Sequence, residues 1–294
     1  MTHEVAVVSM GPLARLDGFR GAVSEVFPSA VYLMTVDGGL LVIHDTSHGH
    51  SPTSVLVDDA RPLAWGVMPG DRAAGRCGRL RVGGLHLDAR HAAVWRPPWP
   101  RPGPVARRLP GELLRSSGQS CRRLLPAVRR LRSSIEDDRP EAAGAALRSL
   151  IGAGPGLTPS GDDAVVGLVA ALQRAGTPEQ VSAPLGRLRS LVPPLLPRTT
   201  TVSGHYLRLA LNGHIGEHLA GLVDACVADR RSHGPLVERV LRAGATSGAD
   251  ALVGVAVGLE MIIAHRGHER CDGSAPAGRG RAPLALEHDF GHVA

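Results

Sequence analysis

The sequence predicts an α+β protein with a small β-barrel or sandwich over residues 1–100 and a mainly α-helical domain over residues 105–268. Short apolar runs separated by glycine pairs fill the first part, as in antiparallel strands joined by tight turns. The segment PPWPRPGP, residues 97–104, is a predicted linker because proline fits neither a helix interior nor a sheet ladder. An internal repeat in the second part precedes two apolar helices.

The strands of the first part are expected at five apolar runs. One pair of runs flanks the turn sequence DGG and another flanks GG, so both pairs are predicted to form hairpins. The β-rich part is expected to end near Trp95. The five predicted strands are residues 30–36, 40–44, 54–57, 79–82 and 85–88.

Helical patterns begin after the linker. An arginine-rich region, residues 107–132, could line an anion entrance, but a solvated helix face is the default interpretation. Residues 141–150 and 179–191 continue the helical part. Residues 269–294, rich in Gly, Ala, Pro and Arg, are predicted to form a disordered tail.

Composition argues against several function classes. The formal charge is +6, yet aromatic residues make up only 3% of the chain and leave little to stack on bases, so no nucleic-acid partner is expected. The four cysteines lack CxxC spacing, which indicates neither a zinc site nor a disulfide framework. No signal peptide is evident, and the most apolar stretch, residues 251–264, is too short to span a bilayer. We therefore expect a cytoplasmic protein without a membrane partner.

Three histidines, His44, His48 and His50, lie close together at the end of one predicted strand. A metal site is one interpretation. A solvated loop is the other, and the turn composition of HDTSHGHSP favours it because no outside partner for these side chains is identifiable.

Candidate functional side chains are most concentrated in residues 152–172, which read GAGPGLTPSGDDAVVGLVAAL. Its glycines permit unusual backbone angles and its prolines restrict them, so the stretch predicts a loop of defined conformation followed by a buried helix. Ser160 followed by Asp163 fits a capping box, in which a hydroxyl and a carboxylate satisfy amides at a helix start. A catalytic role for either residue is the alternative. Thr158 and Asp162 have no place in such a cap and are candidate functional residues.

A second copy of this motif begins at Thr246. From Ser160 the first copy reads SGDDAVVG and from Ser247 the second reads SGADALVG, with six of eight positions identical. A helix with a small residue on one face follows each copy, at Gly167 and at Gly254. The two helices are therefore predicted to pack side by side with both N-termini at one end, where phosphate or carboxylate would be favoured.

The sequence RTT at residues 198–200 adds a further candidate group. Arg198 beside several hydroxyls at a predicted helix N-terminus is a reasonable oxyanion-binding arrangement. The carboxylates of Asp162 and Asp163 would repel an anionic substrate unless a cation lies between them. Arg198, or a divalent metal such as Mg²⁺ at the two carboxylates, would supply that cation.

The predicted site thus has two groups of residues. The catalytic candidates are Asp162, Asp163 and Arg198. The candidates for binding substrate or phosphate are Gly156, Thr158, Ser160, Gly161, Thr199, Thr200, Ser203, Thr246, Ser247 and Asp250.

Three motifs resemble the AllH family, named for a subunit associated with the oxamate carbamoyltransferase of allantoin breakdown. They are GPGLTPSGDD at 154–163, RTT at 198–200 and GATSGADALVG at 244–254. The likeness extends to SAVYL at 29–33 and to Ala93 and Trp95, so it spans most of residues 20–265. A histidine often precedes the second TSG in this family, whereas Ala245 stands there in this chain.

The resemblance implies transfer of a carbamoyl group from carbamoyl phosphate to an amide or amine nitrogen of a small carboxylate. The type reaction converts oxamate to oxalurate and releases phosphate. An acyl-CoA-synthetase-like partner subunit is implied as well, and a homo-oligomer is a further expectation. A non-catalytic ligand-binding or scaffold subunit and an amide or ureido hydrolase are the alternatives.

These implications give a mechanistic hypothesis. Asp162 takes the proton from the acceptor nitrogen or binds a metal, while Asp163 and Asp250 mainly stabilise the fold. Phosphate is held by Arg198 and its two following threonines. The hydroxyls and amides of the two repeated motifs polarise the carbamoyl carbonyl or hold the acceptor's carboxylate.

Overall fold

The computed structural model describes residues 3–58, 66–227 and 233–272, with side chains as far as residue 265. An N-terminal β-barrel is followed by a region of α-helices, so the predicted α+β class is confirmed. The proline-rich segment 97–104 lies in a stretch without helix or strand. Most of the predicted tail, residues 273–294, lies outside the described residues.

Nine strands form one sheet in the described residues. Their order is β5-β4-β3-β2-β6-β7-β8-β1-β9, and an additional pairing of β1 with β5 closes eight of them into a barrel. The strands are β1 His3–Met10, β2 Arg20–Phe27, β3 Ala30–Thr35, β4 Leu40–Asp45, β5 Ser54–Val57, β6 Arg72–Arg76, β7 Arg79–Val82, β8 Leu85–Asp88 and β9 Ala93–Val94.

Both predicted hairpins are confirmed. β3 pairs antiparallel with β4, from Ala30 opposite His44 to Met34 opposite Leu40. β7 and β8 also pair antiparallel. The turn of the first hairpin has Gly38 at φ 80°, a backbone region that favours glycine.

Strand β4 is apolar at successive positions because both of its faces are covered. Leu41 and Ile43 belong to the barrel core, whereas Leu40 and Val42 pack against Val202 of the helical region. A strand buried on both faces reads as a continuous apolar run rather than an alternating one. The outer face of β4 therefore attaches the barrel to the helices.

Nine α-helices occupy the described part of the second region. A short 3-10 helix, Pro193–Arg198, lies between the fifth and sixth of them. The α-helices are α1 Leu109–Ser116, α2 Gln119–Glu136, α3 Pro140–Leu150, α4 Ser160–Ala175, α5 Pro178–Leu191, α6 Thr201–Leu211, α7 Glu217–Val227, α8 Gly234–Leu241 and α9 Ser247–Asp272.

Helices α4 and α9, which follow the two copies of the repeat, pack side by side in parallel. A Cβ atom on Gly167 would lie 2.0 Å from the carbonyl oxygen of Ala251, and one on Gly254 would lie 1.8 Å from that of Ala164. Such approaches require glycine, because the two backbones are in contact. The predicted pairing with both N-termini at one end is confirmed.

Helix α9 is longer than the predicted apolar stretch. Its segment Ser247–His265 has the length and composition to cross a membrane, so the expectation that this helix is too short was wrong. However, 72% of its most apolar window is buried inside the protein, as in the core helix of a soluble protein. The cytoplasmic location remains a prediction.

Candidate functional site at the paired helix starts

The loop before α4 has the shape that its glycines predict. Gly152 has φ 78°, and a Cβ there would lie 2.2 Å from the carbonyl oxygen of Arg198. Gly154 and Gly156 also have positive φ angles. The loop therefore lies directly against the segment that precedes α6.

Asp162 joins three parts of the chain. Its Oδ1 accepts a hydrogen bond from the amide of Gly152 at 2.9 Å. Its Oδ2 accepts from the hydroxyl of Thr199 and from Ser203 Oγ at 2.8 Å. Because the side chain is fully buried and both oxygens are engaged, Asp162 fixes the loop and the start of α6 relative to α4.

Thr200 caps helix α6. Its Oγ1 accepts from the amide of Ser203 at 3.0 Å and donates to the carbonyl oxygen of Leu157. The hydroxyls of Thr199 and Thr200, predicted to hold phosphate, thus have partners within the protein. The helix start predicted at residues 199–201 is confirmed.

The capping box predicted at Ser160 was wrong. Ser160 is the first residue of α4 rather than its cap, and no side-chain cap bond is present at this helix start. A main-chain carbonyl of the loop takes that role, because the amide of Gly161 donates to Ala153 O at 2.9 Å, while the amide of Asp163 makes the first helical bond, to Pro159 O at 3.2 Å. The loop folds back closely enough to make a side-chain cap unnecessary.

The second copy of the motif repeats this arrangement. The amide of Gly248 donates to Ala243 O at 3.0 Å, and that of Asp250 donates to Thr246 O at 2.9 Å. A Cβ on Gly248 would lie 1.9 Å from Val240 O, just as one on Gly161 would lie 2.0 Å from Leu150 O. The shared Ser-Gly pair therefore serves close packing of each helix start on the end of a preceding helix. These amides donate to the main chain and leave side chains as the main functional groups of the site.

The two helix starts meet at a hydrogen bond between Thr158 and Ser247. Their hydroxyl oxygens are 2.8 Å apart, although 89 positions separate them in the sequence. Both side chains are partly buried. Thr158, Ser247 and the first turns of α4 and α9 therefore lie together, and they form the candidate site.

Asp163 lies beside this contact and has an unusual environment. Its Oδ2 is enclosed and has no hydrogen-bond partner among the described residues. Burial raises its pKa to about 7, and the charges of Asp250 and Asp162 raise it too, whereas the hydroxyls of Ser247 and Thr158 lower it. A carboxyl group with a pKa near neutrality exchanges a proton readily at pH 7, so Asp163 is the candidate proton acceptor.

Asp250 occupies the position in α9 that Asp163 occupies in α4. It is fully buried, and its Oδ1 lies 3.4 Å from Nη2 of Arg123. Its Oδ2 has no hydrogen-bond partner in the described ranges. The internal repeat thus brings two equivalent carboxylates together, and only one of them has an arginine partner in the part of the chain described.

Two tyrosines complete the site, and both were missed in the sequence. Tyr32 on β3 and Tyr206 on α6 are hydrogen-bonded to each other. Burial raises the pKa of both phenols, and the nearby Asp163 carboxylate raises them further, so both are neutral at physiological pH. They are the only tyrosines of the chain. The two residues are 174 positions apart, and no local sequence pattern relates a strand residue to a helix residue at that distance. Their contact could therefore not be predicted from the sequence.

The remaining predicted site residues lie either at the exposed edge of the candidate site or in buried, packed positions. Arg198 is exposed, and the described part of the chain offers it no ion pair, although its main chain contacts the loop of the site. Gly156 and Thr246 are exposed as well, whereas Ser160 is buried. Enclosure of a ligand by the Arg198 side chain is therefore not seen in this conformation.

A magnesium ion shared by Asp162 and Asp163 would compete with the hydrogen bonds that Asp162 already accepts. Both oxygens of Asp162 already accept hydrogen bonds from Gly152, Thr199 and Ser203. No group of three metal-ligating side chains occurs within the described residues, so a magnesium ion here would take its other oxygen ligands from water or substrate, and it stays a prediction.

The three histidines near the end of β4 lie in three different environments. His44 is buried, and burial lowers its pKa to about 4. His48 is exposed and contacts Asp45, in agreement with the solvated-loop interpretation. His50 does have an outside partner, contrary to expectation, because its Nδ1 lies 2.6 Å from Oε2 of Glu217 at the start of α7.

Fold and site define a barrel-linked helical protein with a carboxylate–hydroxyl site where two repeated helix starts meet. Residues 150–259 match the family model described as oxamate carbamoyltransferase subunit AllH. This match confirms the predicted resemblance and covers the 154–163 and 198–200 motifs and the second repeat. No solved structure matches the chain significantly. The likeness noted around residues 29–33 lies outside the matched segment.

Proposed function

We propose that this chain is a subunit of a carbamoyltransferase and that the site between α4 and α9 binds the acceptor and removes its proton. The match of residues 150–259 to subunit AllH of oxamate carbamoyltransferase supports the reaction class. One observation carries the assignment of the site: Asp163 has an enclosed, unpaired carboxylate oxygen and a pKa of about 7 between two helix starts.

In this reaction the acceptor nitrogen attacks the carbonyl carbon of carbamoyl phosphate. The new C–N bond forms, the C–O bond to phosphate breaks, and phosphate leaves with the bonding electrons. Asp163 takes the proton that the acceptor nitrogen loses. A base whose pKa is near the working pH is suited to this step, because it is both ionised in useful amount and basic enough to accept the proton.

The polar neighbours of Asp163 would orient the acceptor. The hydroxyls of Thr158 and Ser247 already lie within hydrogen-bond distance of each other and can donate to a carbonyl or carboxylate oxygen. The neutral phenols of Tyr32 and Tyr206 add further donors. Phosphate binding falls to the exposed guanidinium of Arg198, since the threonine hydroxyls beside it have partners.

This proposal exchanges the predicted roles of the two adjacent carboxylates. Asp162 was expected to be the base, but its two oxygens hold the loop and α6 in place, so we assign it a positioning role. Asp163 was expected to stabilise the helix start and instead has the features of a base.

A multi-protein enzyme is consistent with the sparse positive charge at this site. Arg123 contacts Asp250, and Arg198 is exposed at the margin. Since carbamoyl phosphate carries two negative charges, a partner subunit that covers Arg198 would supply the missing groups. A ligand-binding subunit without its own turnover is the second candidate function, and the same scarcity of cationic groups among the described residues of the site favours it.

The test is formation of oxalurate from oxamate and ¹³C-labelled carbamoyl phosphate, followed by ¹³C NMR. The chain is assayed alone and together with proteins that co-purify with it. We expect Asp163→Asn to slow transfer by about 10²- to 10⁴-fold while the complex still assembles. Turnover by Asp163→Asn at the wild-type rate would contradict the proposal.

Asp250→Asn is the matched control, since it removes the equivalent carboxylate of the second copy. The charge of Asp250 raises the pKa of Asp163, so this variant should stay active and shift the acid limb of the rate profile to lower pH. Saturable binding of either substrate without turnover in any mixture would favour the non-catalytic subunit.

A further inference from the structure

A second group of reactive side chains lies at the junction of the barrel and the helices, formed by Ser9, His50 and Glu217. Ser9 Oγ is 2.8 Å from Nε2 of His50, and Nδ1 of His50 is 2.6 Å from Oε2 of Glu217. The three residues come from β1, from the segment after β4 and from the start of α7. A hydroxyl, an imidazole and a carboxylate in this series are the parts of an activated serine.

The carboxylate determines which nitrogen of the imidazole carries the proton. Burial raises the pKa of Glu217, but hydrogen bonds from the amide and ring of His50 lower it more, so the net pKa lies below its usual value. Glu217 is therefore ionised at pH 7 and can only accept at Nδ1. In the neutral ring this leaves the lone pair of Nε2 directed at the Ser9 hydroxyl, as a general base requires.

The imidazole is held firmly in this orientation. Its ring stacks on Trp95, with centroids 5.2 Å apart and planes 9° from parallel. The amide of His50 also donates to Glu217 Oε2 at 2.8 Å, and the amide of Glu217 donates to the carbonyl oxygen of His50 at 2.8 Å. Two main-chain contacts and one ring contact thus fix the base before any substrate arrives.

Ser9 is placed where a substrate can reach it. A β-bulge between Val7 and Ser9 interrupts the pairing of β1 with β5, and bulges of this kind redirect side chains next to active sites. Ser9, His50 and Trp95 are all partly exposed rather than enclosed. The Ser9 residue is therefore partly open to solvent while its hydroxyl is hydrogen-bonded to the imidazole.

We propose that Ser9 is a catalytic nucleophile, activated by His50 and Glu217, that accepts the acyl group of a small carboxylic ester. Ser9 Oγ bonds to the carbonyl carbon while its proton passes to Nε2 of His50. The C–O bond to the leaving alcohol breaks, and the alcohol takes that proton. Water then attacks the carbonyl carbon of the acyl-serine and gives a proton to Nε2 of His50. The C–O bond to Ser9 breaks, Ser9 Oγ takes that proton from Nε2, and the carboxylic acid leaves. This site is separate from the one proposed for carbamoyl transfer and does not depend on it.

The chain contains a matched comparison. Ser29 Oγ lies 3.2 Å from Nε2 of His48, and Nδ1 of His48 lies 3.0 Å from Oδ1 of Asp45. These distances are longer, and both contacts lie exposed at the surface. A solvated series of this kind should not activate its serine, so Ser29→Ala is the control for Ser9→Ala.

The test is covalent labelling of the full chain with a fluorophosphonate, followed by intact mass and peptide mapping. The serine oxygen displaces fluoride from phosphorus, so only an activated hydroxyl reacts quickly. We expect one adduct, on Ser9, together with measurable hydrolysis of p-nitrophenyl acetate. Ser9→Ala should abolish both signals, Glu217→Gln should slow labelling by about 10²-fold or more, and Ser29→Ala should change neither.

Ser9→Ala removes one partly exposed hydroxyl and should leave the melting temperature unchanged, so lost labelling cannot come from unfolding. The proposal is overturned if the wild-type chain forms no adduct, if the adduct maps to another residue, or if Ser9→Ala reacts at the same rate. A fall in melting temperature for His50→Ala with no labelling of the wild type would assign these residues to a purely structural contact.

Discussion

Gly167 and Gly254 occupy equivalent positions in the two repeated helices, and each lies against the backbone of the other helix. A Cβ on Gly167 would come within 2.0 Å of Ala251 O, and one on Gly254 within 1.8 Å of Ala164 O. Ala164 and Ala251 are themselves equivalent in the repeat. The contact is therefore reciprocal, because each copy of the helix uses the same two positions to contact the other.

Substitution of Gly254 by alanine should push α4 and α9 apart. The added methyl group cannot fit against a carbonyl oxygen, so we expect a loss of about 1–3 kcal/mol or more in the free energy of unfolding. Chemical denaturation measures this loss. Gly186→Ala on α5 is the control: the position is exposed, no atom lies within 4 Å of the place its methyl group would take, and the substitution should stabilise by about 0.5–1 kcal/mol. A stabilised Gly254→Ala protein would refute the close packing.

Asp162→Ala should destabilise the protein far more than Asp163→Ala. Removal of the Asp162 carboxylate leaves the Gly152 amide and the hydroxyls of Thr199 and Ser203 without their acceptor, at a cost of about 3 kcal/mol or more. Asp163 has an unpaired oxygen and loses less. The test compares the melting temperatures of the two variants at one pH. Equal decreases in melting temperature would contradict the different roles assigned to Asp162 and Asp163.

The free energy of unfolding should decrease as the pH rises from about 4 to about 7, because Asp163 loses its proton at lower pH in the unfolded chain than in the folded protein. Its pKa is about 7 in the folded protein and about 3.8 when unfolded, so the folded state binds more protons in this interval. The contribution of the protonated Asp163 to the free energy of unfolding is complete below pH 3.8 and is lost as the pH rises through 7. Its upper bound is about 4 kcal/mol. Urea denaturation of wild type and Asp163→Asn at several pH values should show the variant gaining relative stability as pH rises. A constant difference between the two proteins would count against this pKa.

Replacement of Arg174 by lysine should destabilise the protein. This side chain is 3% exposed and donates to both oxygens of Asp224, at 2.7 and 2.6 Å, and to the carbonyl oxygen of Pro98 at 3.0 Å. A lysine cannot form the paired bonds, so we expect Arg174→Lys to lose about 2 kcal/mol and Arg174→Ala about 3–5 kcal/mol. The exposed pair of Arg139 and Asp137 provides the control, because Arg139→Ala should change the unfolding free energy by less than about 1 kcal/mol. Equal effects at the two arginines would show that burial of Arg174 does not matter.

Local patterns were enough to predict much of the fold. The runs at residues 30–36 and 40–44 became β3 and β4, because alternation and a glycine turn depend only on neighbours in the sequence. The repeat at Ser160 and Ser247 predicted the paired helix starts, since close packing of helices requires small residues at fixed spacing. Strands β1, β2 and β6 were not separately identified within the predicted β-rich part. The partners of β1, which are β5, β8 and β9, lie far away in the sequence. Strands β2 and β6 form hairpins with β3 and β7, but the turns at residues 28–29 and 77–78 lack the glycine pair that marked the other two hairpins.

The roles of the polar residues were decided by tertiary structure. Asp162 and Asp163 are adjacent in the sequence, yet one faces Thr199 and Ser203 and the other faces Ser247, because successive helical positions point about 100° apart. Whether a carboxylate is satisfied or left unpaired depends on donors from distant segments. The same holds for His50 and Glu217, which are 167 positions apart.

By itself, then, the sequence determined the class of fold, the repeated helix pair and the place where polar groups collect, because these follow from periodicity and from glycine. Only the tertiary structure decided which carboxylate has both oxygens hydrogen-bonded and which has an unpaired oxygen and a raised pKa. Burial and hydrogen bonding set a side chain's pKa, and both are properties of the neighbours that folding brings together.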